Sequence, residues 1–380
     1  MPRRVTDLRK PFNSLLVILL AVFAVVASAQ SGRKVTPTPT PTPVQSPASY
    51  SESRALPTRK GRVSPPAPQT DTAAQKSEAP TANDDVLRVE TDLITVPVSV
   101  YERSGVYVSG LKQEDFKIFE DGKEQKIEYF GTADKPFTVV LLLDTSPSAE
   151  YKIEEIQAAS RAFIDELGPD DKVIVIEFDG NVHVLTEATN DRQRLYKAIL
   201  KADFGSGTSL YEAVKFSLKK RLEKIPGRKA IVLFTDGVDT TSRKATYDST
   251  LDLAEESDTL IFPIYYNTFA QNQARTRGSI GIFSPVGTSA EEYAVGRKYL
   301  VELAAYTGGR VFTPEAVPGG LAAAFRGIAI ELRQQYNIGY IPTDRGTPGQ
   351  QKRIKVRVDR PNLAVRARDS YIVGSSTPNQ

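Results

Sequence analysis

Residues 139–148 read VVLLLDTSPS: five apolar residues run directly into Asp144, and Ser146 and Ser148 follow at alternate positions. A short, nearly continuous apolar run of this kind predicts a β-strand that is buried on both faces of a sheet. Ligands of open parallel sheets bind beyond the carboxyl ends of the strands. We therefore expect Asp144 and the two serines to lie at a ligand-binding edge.

The region around this strand, residues 136–334, alternates strand-like and helix-like patterns. The strand-like segments are FTVVLLLD, KVIVIEFD, VHVLTE, KAIVLFTD, LIFPIYYN and RVFTP. Between them, apolar residues recur at helical spacing, as in Leu210, Val214, Leu218 and Leu222. This alternation predicts an α/β fold, with a doubly wound, mostly parallel, Rossmann-like sheet flanked by helices.

The two flanks of this region are patterned as short strands. Residues 85–135 contain the Asp121-Gly122 pair between two strand-like runs, which is a strong hairpin signal. Residues 335–374 contain the alternating segments QYNIGYIP, KRIKVRV and AVRARDSYIV. Because the first flank alone is too short to bury a stable core, we expect both flanks to form one small β-sandwich-like unit. The last residues, 375–380, are predicted to be a disordered tail.

The first residues carry the features of an export signal. Residues 1–29 combine a basic start, the apolar run LLVILLAVFAVV and small residues before Gln30. Residues 30–84 are rich in Pro, Ser and Thr, which predicts a disordered linker. We therefore expect an exported protein located in the periplasm, at the cell surface or outside the cell, with no stable membrane anchor after cleavage.

Composition excludes several kinds of site. The chain has no Cys and a single His, His183, so thiolate metal sites, disulfides and most His-based sites are excluded. The formal net charge of +3 belongs to residues 1–29, and the remaining chain has equal numbers of acidic and basic residues. No nucleic-acid partner is expected from this charge balance.

Two further segments place oxygen-bearing side chains at the same predicted edge. The strand-like run AIVLFT ends on Asp236, and the segment GSGTS puts Thr208 in a loop before a helix. Two neighbouring carboxylates repel each other unless they are protonated or neutralised by a cation. Carboxylate and hydroxyl oxygens favour a hard ion, so we expect Mg²⁺, with Mn²⁺ or Ca²⁺ as alternatives.

The segments DTSPS, GSGTS and TDGVD together resemble the metal-ion-dependent adhesion site of von Willebrand factor type A domains. The resemblance covers about residues 136–334, and the flanks are similar to a secreted bacterial branch of that family. It implies that Asp144, Ser146, Ser148, Thr208 and Asp236 coordinate the ion, and that an Asp or Glu carboxylate of a protein partner completes the shell. One departure is Pro147, where these domains often have Gly.

Asp239 has two interpretations. It is a candidate to orient the coordinating residues without binding the ion, but an acid at this position more often caps the turn that follows.

The sequence is compatible with three classes of function. The leading hypothesis is a metal-dependent protein-binding or adhesion module without enzymatic activity. The alternative is a structural or assembly factor of the cell envelope with no metal-gated binding, and a metal-dependent hydrolase is a remote third. Residues 267–292 form a long loop that should emerge at the same edge and shape partner specificity.

Overall fold

The computed structural model describes residues 50–53, 93–132, 135–149, 153–269 and 289–374. The predictions for the export signal, for most of the linker, for the tail and for most of the loop at 267–292 lie outside these residues. Among the helices of the described part, none is long and apolar enough to cross a membrane.

The chain alternates strands and helices in its centre and has strands alone at both ends. The strands are β1 Ser51–Glu52, β2 Ile94–Glu102, β3 Phe116–Glu120, β4 Lys123–Gln125, β5 Ile127–Thr132, β6 Phe137–Asp144, β7 Lys172–Phe178, β8 Val182–Thr189, β9 Arg228–Thr235, β10 Thr259–Tyr265, β11 Tyr336–Tyr340, β12 Gln351–Val358, β13 Leu363–Arg366 and β14 Ser370–Ile372. The α-helices are α1 Ile153–Asp165, α2 Arg192–Ile199, α3 Leu210–Phe216, α4 Tyr247–Glu256, α5 Ala290–Thr307 and α6 Gly320–Arg333.

The central sheet has the strand order β10-β9-β6-β7-β8. Strands β10, β9, β6 and β7 are parallel, and β8 runs antiparallel at the edge beside β7. Every residue of β6 is buried, as its apolar sequence predicts for the middle strand of a covered sheet. The structure thus confirms the predicted mostly parallel sheet.

Helices cover both faces of this sheet. On one face, Val139, Leu141 and Leu143 of β6 pack with the apolar sides of α1, α2 and α6. On the other face, Val140 and Leu142 pack with α3, α4 and α5. Because successive strand residues point to opposite faces, the single apolar run of β6 contributes to both cores.

The two flanks fold together, which confirms the predicted β-sandwich-like unit. One sheet has the order β13-β2-β11-β5, and the other has the order β1-β12-β3-β4 with β14 also paired to β12. Strand β11 from the second flank lies between β2 and β5 from the first flank, antiparallel to both. The two sheets share a core that includes Val96, Val98, Ile338 and Val356, all fully buried.

The predicted hairpin is present at Asp121-Gly122. Strands β3 and β4 pair antiparallel, with Glu120 opposite Lys123. Both turn residues have positive φ, 47° at Asp121 and 83° at Gly122, which a two-residue hairpin turn of this type requires.

The described residues 50–53 depart from the prediction that residues 30–84 are disordered. Ser51 and Glu52 pair with Val358 and Arg357 at the edge of β12. Glu52 forms ion pairs with Arg357 at 2.7 Å and Lys355 at 3.2 Å. Composition alone missed this strand because its stability comes from partners about 300 residues away along the chain, not from local apolar content.

We predict that Ser53→Ala lowers the free energy of unfolding by about 1–2 kcal/mol. The buried Ser53 hydroxyl accepts a hydrogen bond from the Val356 backbone N–H at 2.9 Å, and its removal leaves that N–H without this acceptor. Chemical denaturation followed by circular dichroism measures the change.

Ser104→Ala is the control for this experiment, because its exposed hydroxyl bonds only the neighbouring Glu102. A Ser53→Ala variant as stable as the control would show that the hydrogen bond between Val356 and Ser53 adds nothing to the stability of the sandwich.

Candidate metal centre

Asp144 ends β6 at the predicted edge and is fully buried. Its Oδ1 accepts a hydrogen bond from the Ser146 backbone N–H at 3.0 Å, and its Oδ2 accepts one from the Thr235 hydroxyl at 2.6 Å. Thr145 lies between Asp144 and Ser146 in the chain, and its backbone N–H donates to the Phe178 carbonyl of β7 at 2.9 Å. The carboxylate is therefore fixed by the strands on both sides of β6.

The two serines of the DTSPS segment face each other. Ser146 Oγ and Ser148 Oγ are 3.0 Å apart, and Ser146 is 1% exposed. The Ala149 backbone N–H donates to the Ser146 carbonyl at 2.9 Å, which closes a tight turn. This turn brings both hydroxyls to the same side of the loop, as their alternate spacing predicts, and the Ser148 hydroxyl also bonds Asp236.

Asp236 follows β9 and is almost completely buried. Its Oδ1 accepts from the Val238 backbone N–H at 3.1 Å. Its Oδ2 accepts from the Thr268 hydroxyl at 2.8 Å and lies 3.4 Å from the Tyr293 hydroxyl. The Asp236 side chain thus joins β9, the end of β10 and the first turn of α5.

Thr208 is held beside this group by its backbone. Its N–H donates to the Thr240 hydroxyl at 2.8 Å, and its carbonyl accepts from the backbone N–H groups of Thr240 and Thr241. The Gly205 N–H donates to the Thr145 carbonyl at 3.2 Å, so the loop that carries Thr208 is tied to the loop after Asp144. Within the described residues, the Thr208 hydroxyl has no hydrogen-bond partner of its own.

Electrostatics make the two acids an unfavourable pair without a cation. Burial and, to a smaller extent, the nearby Asp236 carboxylate together raise the pKa of Asp144 to about 7, against hydrogen bonds from Ser146 and Thr235 that lower it. Burial likewise raises the pKa of Asp236. In the part of the chain that is described, neither acid forms an ion pair with a lysine or arginine. Two buried acids beside three hydroxyls fit a divalent ion of the hard type.

This donor set differs from the commoner metal clusters of proteins. Across the described ranges, no group of three or more His, Cys, Asp or Glu side chains is placed to hold an ion. An ion at this edge would therefore be held by only two carboxylates, with hydroxyl oxygens as the other protein donors.

The Asp239 carboxylate accepts hydrogen bonds at the start of α3 and in the turn that follows it in the chain. Its Oδ2 accepts from the Tyr211 backbone N–H at 3.0 Å and from the Ser242 hydroxyl at 2.6 Å. Its Oδ1 accepts from the Ser242 N–H at 3.1 Å. These bonds close the turn that follows Asp239 and satisfy a backbone donor in the first turn of the helix, which is the capping role weighed from the sequence.

Sequence reasoning missed four residues that support the acids: Thr235, Thr268, Tyr293 and Gly296. Thr235 ends β9 and Thr268 follows β10, and residues that follow parallel strands lie at the same edge of the sheet. The position of Thr268 after β10 could therefore have indicated that it lies near Asp236. Tyr293 and Gly296 lie on α5, and no local pattern indicates that this helix touches the Asp236 loop.

Gly296 and Gly237 bring α5 and the Asp236 loop into backbone contact. A Cβ on Gly296 would lie 2.4 Å from the Gly237 carbonyl oxygen, and a Cβ on Gly237 would lie 2.8 Å from the Gly296 backbone. Gly237 also has a φ of 85°, which L side chains rarely adopt. Both positions therefore require glycine for the loop to hold its place.

Comparison with known proteins identifies the class of this domain. Residues 139–238 match the model of the von Willebrand factor type A domain family, which is roughly a quarter of the chain. The matched residues include all five predicted coordinating residues, Asp144, Ser146, Ser148, Thr208 and Asp236. Residues 139–238 are therefore similar to the von Willebrand factor type A domain family, as the sequence motifs imply.

Three solved structures are distantly similar to this chain. The von Willebrand factor domain of the type V pili tip protein Mfa5 from Porphyromonas gingivalis is 15% identical, covers 51% of this chain and 94% of that chain, and has a TM-score of 0.40. A von Willebrand factor type A protein from Catenulispora acidiphila is 13% identical over 74% of this chain and 73% of that chain, with a TM-score of 0.42. An aerotolerance-related membrane protein from Bacteroides fragilis is 15% identical over 52% and 98%, with a TM-score of 0.39.

A search of the curated proteins found no match to this chain. Likenesses as distant as those of the solved structures identify no partner or ligand here.

We predict that the metal-free protein becomes less stable as pH rises. The folded state holds a proton on Asp144 up to about pH 7, whereas the unfolded carboxyl has a pKa of 3.8. A raised carboxyl pKa stabilises the fold at low pH, and this contribution is lost as pH rises through the folded value. The free energy of unfolding in the presence of chelator should fall by about 2 kcal/mol from about pH 5 to about pH 8.

Asp144→Asn is the matched variant for this pH series, because an amide keeps the shape of the carboxyl but does not titrate. The variant should lose most of the pH dependence. An identical pH profile in both proteins would contradict the assignment of the raised pKa to this pair.

We predict that Gly296→Ala destabilises the protein by about 1–3 kcal/mol. In an open helix the same change stabilises by roughly 0.5–1 kcal/mol, so the expected sign is opposite to helix propensity. Chemical denaturation measures it, with Val295→Ala as the control on an exposed side of the same helix. A Gly296→Ala protein as stable as the parent would mean that the α5 contact with the loop is not tight.

Proposed function

We propose that the protein is an exported binding module whose central domain holds a divalent cation, Mg²⁺ with Mn²⁺ or Ca²⁺ as alternatives, and uses it to bind an acidic group of a protein partner. The observation that carries this proposal is the pair of buried acids, Asp144 and Asp236, beside the hydroxyls of Ser146 and Ser148. Similarity to the von Willebrand factor type A domain family supports it, and residues 1–29 support the export.

The residues have distinct roles in this proposal. Asp144 and Asp236 supply the negative charge that holds the cation, and Ser146, Ser148 and Thr208 supply neutral oxygens. The ion, when bound, would offer a coordination position to a carboxylate from the partner. Because the hydroxyls are neutral, the two acids balance but do not exceed the charge of the divalent ion, which leaves it able to accept an Asp or Glu carboxylate.

The supporting hydrogen bonds explain how the chain keeps this group ready to bind. Thr235, at the end of β9, donates to Asp144, and Thr268, three residues after β10, donates to Asp236; both threonines are buried. Oxygens held in place before the ion arrives lose little conformational entropy when it binds.

The alternative hypothesis is a structural or assembly role in the cell envelope without metal-gated binding. The sandwich formed by the two flanks offers a scaffold for such contacts. Capture of an envelope partner separates the two hypotheses: a metal-gated contact is lost in chelator and returns with Mg²⁺, whereas a purely structural contact persists.

We expect calorimetric titration of Mg²⁺ and of Mn²⁺ into the chelator-treated chain to show one binding event. Asp144→Asn should weaken that event at least about tenfold, because it removes one of the two charges, and about tenfold corresponds to 1.4 kcal/mol.

Asp170→Asn is the matched control, since Asp170 is an exposed acid in the turn before β7. Circular dichroism verifies that each variant is folded. Absence of binding in the folded parent, or equal binding in Asp144→Asn, would overturn the proposed metal site.

A further inference from the structure

A cavity of about 580 Å³ lies at the edge of the central sheet opposite the candidate metal centre. Its walls include Phe137 at the start of β6, Arg228 and Lys229 at the start of β9, and Leu260 near the start of β10. Strand β6 separates this edge from Asp144 by about 23 Å, at about 3.3 Å per residue. The cavity is therefore distinct from the site described above.

The other wall of the cavity is the outer face of the sandwich sheet that contains β2 and β11. Thr95 and Pro97 of β2 line the cavity, whereas the alternate residues Val96 and Val98 point into the sandwich core. Asn337 of β11 lies opposite Pro97 in the register and also lines the cavity. The cavity thus occupies the junction between the two parts of the fold, where ligand sites are frequent.

Much of the lining is apolar. Phe137, Leu260 and Leu332 are buried side chains that contribute to the cavity wall. Leu93 and Tyr129 also line it and are 41% and 37% exposed, which is unusual for large apolar side chains in one place. A ligand with an apolar body would cover these side chains and remove their surface from water.

One polar side chain of the wall lacks a partner. Asn337 is 9% exposed, and among the described residues its side-chain amide forms no hydrogen bond. This amide is not among the fully enclosed unpaired polar groups of the described residues, so a group inside the cavity can reach it. A polar group of a ligand in the cavity would satisfy it.

The charges of the wall are predominantly positive. Four basic side chains line the cavity and one acid, Asp258, accompanies them; the basic residues are Lys135, Arg228, Lys229 and Arg368. Asp258 pairs with Lys229 at 2.8 Å. The lining therefore carries an excess of positive charge that an anion would balance.

Arg368 is a basic residue of the cavity wall whose side chain is buried. It is 8% exposed, and its Nε and Nη2 donate to the backbone carbonyls of Ser370 and Glu255, at 2.9 Å and 2.5 Å. In the described part of the chain no carboxylate lies within 4.0 Å of it. Burial lowers the pKa of Arg368, against the carboxylates of Asp258, Glu255 and Asp369, which raise it. An anionic ligand would stabilise the buried charge.

We propose that this cavity binds an organic carboxylate with an apolar body, whose acid group meets Arg368 and the Asn337 amide while its body packs on Phe137, Leu260 and Leu332. The cavity volume falls within the range of small-molecule sites. The proposal does not depend on the metal centre, because the two sites lie at opposite edges of the sheet.

Decanoate is a suitable probe, with decanol as its uncharged counterpart. Calorimetry with the full chain should show saturable binding of one decanoate, with decanol at least about tenfold weaker because it lacks the charge that Arg368 favours. Asn337→Leu, which has a similar volume but no amide, should weaken decanoate at least about tenfold.

Thr95→Trp should abolish decanoate binding by filling the cavity from an exposed position on β2, whereas Glu124→Trp, an exposed residue of β4 outside the cavity, should bind as the parent does. Asp144→Asn should also bind decanoate normally. The proposal is overturned if the folded parent does not bind decanoate, if decanol binds equally well, or if Thr95→Trp binds unchanged.

Discussion

The arrangement of side chains at the carboxyl edge of the central sheet depends on the repulsion between two carboxylates, Asp144 and Asp236. Both acids are buried at the ends of apolar strands, where water cannot screen their charges. The fold holds them there with donors from neighbouring elements, among them Thr235 and Thr268. These donors reduce the cost of burying charge but do not neutralise it. The arrangement is complete only when a proton or a cation is added.

The opposite edge of the same sheet has the reverse character. Basic side chains such as Lys229 and Arg368 line the junction between the sheet and the sandwich, together with apolar residues. Strand polarity separates the two regions, because parallel strands gather all their starts at one edge and all their ends at the other. A chain whose charges nearly balance overall therefore has an acidic edge and a basic edge on one domain.

The sequence was sufficient to predict the central sheet and the hairpin, because both are indicated by local patterns. These patterns are the continuous apolar runs, the helical spacing and the Asp121-Gly122 turn. The strand-end rule also predicted that Asp144 and Asp236 meet. What could not be predicted depends on contacts between distant segments. Strand β1 is fixed by Arg357, and the Asp236 loop is fixed by Gly296, each through a partner that no local pattern identifies.

The pairing of β1 and β14 on β12 bears on how the described fold would carry mechanical load. Strands β1 and β14 both lie along β12, and the central domain leaves and re-enters the sandwich through β5 and β11, which are neighbours. Tension between the two ends of the described fold would pass across β12 and its hydrogen bonds. The central domain is attached as a side loop to this path, so its carboxyl edge would keep its geometry under such tension.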